Sequence, residues 1–228
     1  MESLQYTPKH VLAAAHLCTH VVVAYGQIDP ETRQLTEKSG AGEQLVRLKR
    51  ANPHLKIMLS IGGWNNAERG FVQVVDTPKT RETFNVHAAN WLRTNGYDGI
   101  DINWEYPGAE ERGSQPADKR KFAHWITEMR LMFQAEAFQR KKERLIISAA
   151  VPASSHWVNK GFEVRSLCTH LDFVNLMSYD LHGDWVKPLR VGHHAGLGLG
   201  GGAQYSVEAA VNMWNFWYTG DELVLWYG

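Results

Sequence analysis

The sequence predicts an α/β fold built around a parallel β-sheet, and two patterns support this prediction. Short runs of apolar and β-branched residues recur along the chain, and stretches with helical periodicity separate them. The runs predict strands at 21–25, 56–61, 99–105, 145–151, 171–177 and 222–226. No shift in composition marks a linker between two parts of the chain, so we expect a single domain.

The helical stretches carry their apolar residues on one face, which predicts helices that pack against the sheet. The longer face, which we interpret as core, comprises Phe122, Trp125, Ile126, Met129, Met132 and Phe133. A second face comprises Phe84, Ala88, Trp91 and Leu92. Thr7 and Pro8 are residue types favoured at a helix cap and first position, so they predict an earlier helix. We interpret the charged run 140–144 as a solvated helix end before a strand.

The composition limits the classes of partner. Lys plus Arg and Asp plus Glu number 24 each, so there is no net charge to attract nucleic acid or an anionic membrane surface. No run approaches the roughly 18 apolar residues that span a bilayer, and the first residues lack the pattern of a signal peptide. We therefore expect neither nucleic acid nor a membrane as partner. Nine Trp and eight Tyr supply flat faces on which a sugar ring can stack, although most are expected in the core.

The two cysteines, Cys18 and Cys168, are too few for a disulfide framework. Each stands in a Leu-Cys-Thr-His segment directly before a predicted strand, so His20 and His170 would complete a four-ligand metal site if the segments met. We expect the two strands to lie far apart and interpret the repeat as similar packing at two strand starts. Accordingly, we expect no metal and no other cofactor.

A polar face on one predicted strand marks the candidate site. Within 98–105, three apolar residues alternate with Asp101, Asn103 and Glu105, which places the polar side chains on one face. A parallel strand covered on both sides is normally apolar throughout, and carboxylates are rarely buried without a special reason. This conflict favours a functional site over a buried polar network that only fixes the core.

The segment 98–107, DGIDINWEYP, resembles the signature of the family 18 glycoside hydrolases, the chitinases and chitinase-like lectins. Asp98, Asp101 and Glu105 match acidic positions of that signature, and Asn103 stands where the family has a further aspartate. Other family motifs occur in the expected order: S-x-G-G-W at 60–64 and M-x-Y-D at 177–180. Segments 17–25 and 149–151 resemble the second and fifth strands of the family.

The resemblance implies a TIM-type (β/α)₈ barrel. The first strand, the eighth strand with its floor tryptophan, and the family's small α+β insertion have no counterpart in the sequence. We therefore expect residues 1–228 to form one catalytic-type domain, truncated at both ends, with an incomplete barrel. The resemblance also implies an extracellular location, without a signal peptide in this chain.

The resemblance also implies a chemistry in which the substrate's own N-acetyl group is the nucleophile. It assigns the general acid to Glu105, and to Asp101 a negative charge that raises the pKa of Glu105. Position 103 would stabilise the cationic intermediate, and Tyr179 would donate to the acetamide carbonyl. The implied sugar contacts are Asp180, Trp64, Tyr25, Met177, Tyr106 and Trp185.

Asn103 leaves two functions open. Its amide can accept a hydrogen bond from the acetamide N–H and is expected to donate one to Asp101. The amide lacks the negative charge of an aspartate, however, and the absence of that charge costs about 3 to 4 kcal/mol of transition-state stabilisation. One function is retaining hydrolysis of β-1,4-linked N-acetylglucosamine polymers such as chitin, with reduced activity. The alternative is a chitinase-like lectin that binds chitin oligosaccharides without cleaving them, and a non-functional fragment is a third reading. The glycine-rich stretch 196–202 is expected to be a loop at the active face.

Overall fold

The computed structural model describes residues 15–37, 48–65, 69–189, 191–198, 205–217 and 223–226. Its strands are β1 (His20–Ile28), β2 (Leu35–Thr36), β3 (Lys56–Gly62), β4 (Gly99–Asn103), β5 (Ile146–Pro152), β6 (Phe173–Met177) and β7 (Leu223–Trp226). Its helices are α1 (Arg69–Val75), α2 (Pro78–Thr94), α3 (Asp118–Arg140), α4 (Ser155–Gly161), α5 (Val164–His170) and α6 (Val207–Trp217). Two 3-10 turns, Ala15–Leu17 and Glu110–Arg112, complete these elements.

All of the predicted strands are present, with ends that differ by a few residues from the prediction. The difference that matters is at β4, which ends at Asn103, so that Glu105 lies beyond the strand and not within it. The helix predicted at Thr7 and Pro8 lies outside the described residues, as does part of the stretch 196–202.

The strands form one sheet in the order β2-β1-β3-β4-β5-β6-β7. Every neighbouring pair from β1 to β7 is parallel, and only the short β2 runs antiparallel to β1. The sheet curls strongly. Three strands lie between β1 and β6, yet the centroids of the His20 ring on β1 and the Phe173 ring on β6 are only 5.3 Å apart. Among the described residues no strand pairing joins β7 back to β1, so the sheet is an open part of a barrel.

The predicted apolar helix faces are confirmed as core. Trp125 and Phe133 of α3 and Phe84 of α2 are completely buried, whereas Met132 lies at the edge of the core and is only partly buried. The ring of Trp104, on the outward face of the β4 segment, stacks on Phe71 with centroids 5.2 Å apart. This packing between sheet and helices fixes which face of β4 points inward.

The start of two strands is secured by equivalent aspartates. Asp98 accepts a hydrogen bond from the backbone N–H of Ile57 at 2.7 Å and pairs with Lys49 at 2.7 Å. Asp172 accepts one from the backbone N–H of Ile147 at 2.8 Å and pairs with two arginines, Arg130 and Arg144. Each aspartate therefore ties its own strand to the preceding one at the end of the sheet opposite Glu105.

These contacts correct one prediction from the sequence. Helix α3 ends at Arg140 as expected, but Arg144 is not part of a solvated helix end. Its side chain is only 22% exposed and binds the Asp172 carboxylate. Elsewhere, no helix in the described part of the chain is both long and apolar enough to cross a membrane.

Candidate active site

The site is built upward from Asp101, which lies on the inward face of β4 and is 3% exposed. Its carboxylate accepts hydrogen bonds from Ser60 Oγ at 2.6 Å, Ser148 Oγ at 2.7 Å and Asn175 Nδ2 at 2.8 Å. Ser60 and Ser148 are the register partners of Asp101 on the two neighbouring strands. Burial raises the pKa of Asp101, and the three hydrogen bonds only partly oppose this effect.

Asn103 lies one pleat further along the same face and is also buried. Its Nδ2 donates to the Tyr25 hydroxyl at 3.3 Å. The predicted donation from Asn103 to Asp101 is therefore wrong: the donors to the Asp101 carboxylate are Ser60, Ser148 and Asn175. Asn103 Oδ1 is buried and accepts no hydrogen bond from any described residue.

Glu105 is half-buried and faces the cleft described below. Burial raises the pKa of its carboxyl group, while the positive charge of Arg112 and hydrogen bonds from Asn103 and Tyr106 lower it, with a net upward shift. The upward shift was expected to come from the charge of Asp101, which is not among its causes. Desolvation is the largest cause instead, because the partial exclusion of water from Glu105 disfavours its charged form.

An open cleft of about 1550 Å³ lies over the carboxyl ends of the strands. Of the residues expected to form the site, Asp101 and Asn103 lie buried beneath it, and the others line it: Tyr25, Trp64, Glu105, Tyr106, Met177, Tyr179, Asp180 and Trp185. Trp64 and Trp185 expose 57% and 60% of their surface, so both offer apolar rings to a ligand. Asp98 is not part of this group, since it lies at the other end of β4.

Two glycines shape the approach to Trp64. Gly62 and Gly63 have φ values of 106° and 86°, a backbone region in which side chains are strained. A Cβ on Gly62 would lie 2.2 Å from the carbonyl oxygen of Asn103, and one on Gly63 would lie 2.9 Å from the Tyr25 ring. The glycine pair of the S-x-G-G-W motif thus lets the chain turn tightly against the two residues that flank the site.

Two phenols in the site remain protonated at neutral pH. Burial, with the nearby Tyr25 and Glu105 as smaller causes, raises the pKa of Tyr179 to about 12. Burial also raises the pKa of Tyr25, against the effect of its hydrogen bond with Asn103. The Tyr179 hydroxyl is therefore available as a hydrogen-bond donor to a ligand in the cleft.

Two residues at the site were not predicted from the sequence. Trp157 on α4 lines the cleft and stacks on Tyr106, with ring centroids 4.8 Å apart and planes inclined by 27°. Arg112 packs its guanidinium over Trp64, 3.9 Å from the ring centroid. Neither stands in a recognisable motif, and the folding of distant segments brings Trp157 to the cleft and Arg112 against Trp64.

The described residues offer no metal centre. No group of three or more His, Cys, Asp or Glu side chains within the described ranges is placed to hold an ion. Three strands separate β1 from β6 in the sheet, but the expectation that they lie far apart is wrong at their start, because the curl of the sheet brings the His20 ring within 5.3 Å of the Phe173 ring. Cys18 is exposed, and Cys168 is partly buried.

The comparison with protein families matches residues 2–220 to the family described as glycosyl hydrolases family 18. The chain belongs to family 18 of the glycosyl hydrolases. This confirms the family predicted from segment 98–107. Family 18 relatives include both chitinases and chitinase-like proteins, as follows.

Chitotriosidase-1 of Mus musculus is 38% identical over 220 residues, which cover 93% of this chain and 46% of that protein. Chitinase-3-like protein 2 of Homo sapiens is 33% identical over 217 residues, which cover 92% of this chain and 53% of that protein. The structure of human YKL-39, described as a pseudo-chitinase with retained chitooligosaccharide binding properties, superimposes with a TM-score of 0.85 at 31% identity. That match covers 98% of this chain and 61% of YKL-39. The chain thus spans about half the length of the curated relatives it matches.

Proposed function

We propose that this family 18 chain acts as a single catalytic-type domain that binds N-acetylglucosamine oligosaccharides in the cleft and hydrolyses them slowly. The observation that carries the proposal is the position of Glu105. Its carboxyl group lines the cleft together with Tyr179 and Asp180, and burial raises its pKa. An acid that stays protonated near neutral pH is what cleavage of a glycosidic bond requires.

The proposed reaction retains the configuration of the sugar and uses the substrate's acetamide oxygen as nucleophile. Glu105 gives its proton to the glycosidic oxygen as the bond breaks, then removes a proton from the water that opens the oxazolinium intermediate. The protonated Tyr179 hydroxyl donates to the acetamide carbonyl, and Asn103 Oδ1, which has no partner among the described residues, accepts from the acetamide N–H. Each group would then hold the acetamide in the orientation needed for attack.

The slow rate follows from Asn103. A carboxylate at this position would carry negative charge close to the cationic intermediate, and an amide carries none. Loss of one such electrostatic contact costs about 3 to 4 kcal/mol, or 10² to 10³ in rate. Asp101 does not replace it, because Asp101 lies two residues before position 103 on β4, further from the carboxyl end of the strand over which the cleft lies.

The second candidate function is binding without cleavage, and Asn103 is the observation that favours it. In this case the cleft binds the oligosaccharide through its aromatic rings and through contacts with the acetamide. Without a negative charge at position 103, proton transfer from Glu105 does not lead to cleavage. An extracellular location, expected from the family, is part of both proposals.

Two measurements on the purified chain test the proposal. Release of fluorophore from a chitotriose substrate reports cleavage, and retention on chitin beads, with cellulose beads as control, reports binding. We expect retention on chitin together with slow release of the fluorophore. Retention without any release would select the second function, and the absence of both would overturn the two proposals together.

A further inference from the structure

Arg112 lies outside the family signature, yet its side chain reaches the ends of two strands. It ends the 3-10 turn Glu110–Arg112 that follows β4. Its Nε donates to the backbone carbonyl of Glu105 at 2.5 Å, and its Nη2 donates to that of Trp64 at 2.7 Å. Because Glu105 follows β4 and Trp64 follows β3, one guanidinium ties the carboxyl ends of adjacent strands together.

The same guanidinium covers part of the Trp64 ring. Its central carbon lies 3.9 Å from the ring centroid, which is within the range of a cation–π contact. Trp64 is otherwise open to solvent, with 57% of its surface exposed. A ring held in one orientation loses less conformational freedom when a ligand stacks on it.

The charge of Arg112 also acts on Glu105, which lines the same cleft as Trp64. Burial raises the pKa of Glu105, and the positive charge of Arg112 is the largest effect that opposes it. A fixed guanidinium thus influences both the location of the Glu105 backbone and the protonation of its carboxyl group.

We propose that Arg112 is a positioning residue, which fixes the Trp64 ring as a platform for one sugar unit and fixes the backbone that carries Glu105. Arg112 acts through these two residues and not on the reacting atoms. The identity of the ligand rests on the proposed function, whereas the positioning role is measurable in the free protein.

Two variants separate the charge of Arg112 from its geometry. Arg112→Met keeps an unbranched apolar stem and removes the charge and the fork of donors, and Arg112→Lys keeps the charge without the fork. The pKa of Glu105, followed by ¹³C NMR and assigned with Glu105→Gln, should rise in Arg112→Met and stay near the parent value in Arg112→Lys. The ¹⁵N relaxation of the Trp64 indole should show faster internal motion in both variants.

Calorimetry with chitotetraose, the N-acetylglucosamine tetramer, supplies the readout on binding. We expect about 2-fold to 10-fold weaker binding for Arg112→Met, the range expected for ordering one large side chain. Arg140→Met is the matched control, since Arg140 binds Glu136 and Asn90 on the helices. This control should leave all three measurements unchanged.

The outcomes distinguish the two proposals. If the parent binds no chitotetraose while the NMR changes appear, the proposed function fails and the positioning role stands. If Arg112→Met leaves the Trp64 motion, the pKa of Glu105 and the affinity as they are in the parent, the positioning role is overturned. Should Arg112→Met fail to fold, unchanged Trp64 motion in Arg112→Lys would overturn the role by itself.

Discussion

The amide nitrogen of Asn103 donates a hydrogen bond to the hydroxyl of Tyr25, 3.3 Å away, at the base of the cleft. This contact orients the amide so that Nδ2 is used within the protein, while Oδ1 accepts nothing from the described residues. Position 103 is therefore arranged as a neutral hydrogen-bond acceptor beside Glu105. Shape recognition of an acetamide is compatible with this arrangement, and charge stabilisation is not.

Replacement of Asn103 by aspartate restores the missing charge. We expect Asn103→Asp to raise the rate of chito-oligosaccharide hydrolysis by about 10², mainly in kcat, because the added charge acts on the transition state more than on the bound substrate. The new carboxylate also raises the pKa of Glu105, so the alkaline limb of the pH–rate profile should move upward. Steady-state kinetics across pH measure both effects.

The control for this experiment is Asn95→Asp, a change of the same kind at the exposed end of α2. It should alter neither the rate nor the pH profile. If Asn103→Asp folds and both remain unchanged, the missing charge is not what limits the reaction, and binding without cleavage becomes the favoured function.

Replacement of Glu105 by glutamine removes the transferable proton and preserves the size of the side chain. We expect hydrolysis by Glu105→Gln to fall by about 10² or more, with the dissociation constant for chitotetraose within about 3-fold of the parent. Calorimetry and the fluorogenic assay on the same preparation measure the two quantities. Glu110→Gln, in the exposed 3-10 turn, is the control. Equal activity in Glu105→Gln and the parent would remove Glu105 from the role of acid.

The stack of Tyr106 on Trp157 is expected to support binding. Both rings are partly buried and line the cleft, and an aromatic pair contributes about 0.5 to 1.5 kcal/mol beyond its buried area. Trp157→Ala should therefore weaken chitotetraose binding by about 2-fold to 10-fold, and Trp157→Phe, which can still stack, should lose less. Calorimetric affinities that are equal for both variants would argue against a role of the stack.

The ion pairs of Asp172 predict a pH dependence of stability. Burial alone would raise the pKa of Asp172, but hydrogen bonds from Arg144, the Ile147 amide and Arg130 outweigh it and hold this pKa below its usual range. A lowered pKa in the folded state means that the stabilisation is present above the unfolded pKa of about 4 and is lost as the pH falls through the folded value.

Asp172→Asn should accordingly lower the free energy of unfolding by about 1 to 3 kcal/mol at neutral pH. The difference from the parent should shrink as the pH falls below about 4, since the parent then loses the same charge. Urea denaturation at several pH values measures this. Asp76→Asn is the control, because Asp76 forms an exposed pair with Lys121 at 3.4 Å and such pairs contribute little. A constant difference at all pH values would contradict the prediction.

The positions of the strands and the inward face of β4 could be predicted from the sequence. Alternation with period two is a local property of an extended chain, so the shared face of Asp101 and Asn103 follows from the spacing of the residues alone, whereas Glu105 lies beyond the end of β4. The family signature likewise lies within one short segment, and the family it predicted is the one to which the chain belongs.

The hydrogen-bond partners and the electrostatics within the site depend on tertiary contacts. Asn103 bonds to Tyr25, and Asp101 accepts its hydrogen bonds from Ser60, Ser148 and Asn175, all of which lie far from β4 along the chain. Arg112 reaches the backbone carbonyl of Trp64 because β3 and β4, which precede these two residues, are neighbours in the sheet. Burial sets the upward shift in the pKa of Glu105, and burial depends on every segment that packs around the carboxyl group. Such properties arise from contacts between residues distant in sequence, which local patterns do not encode.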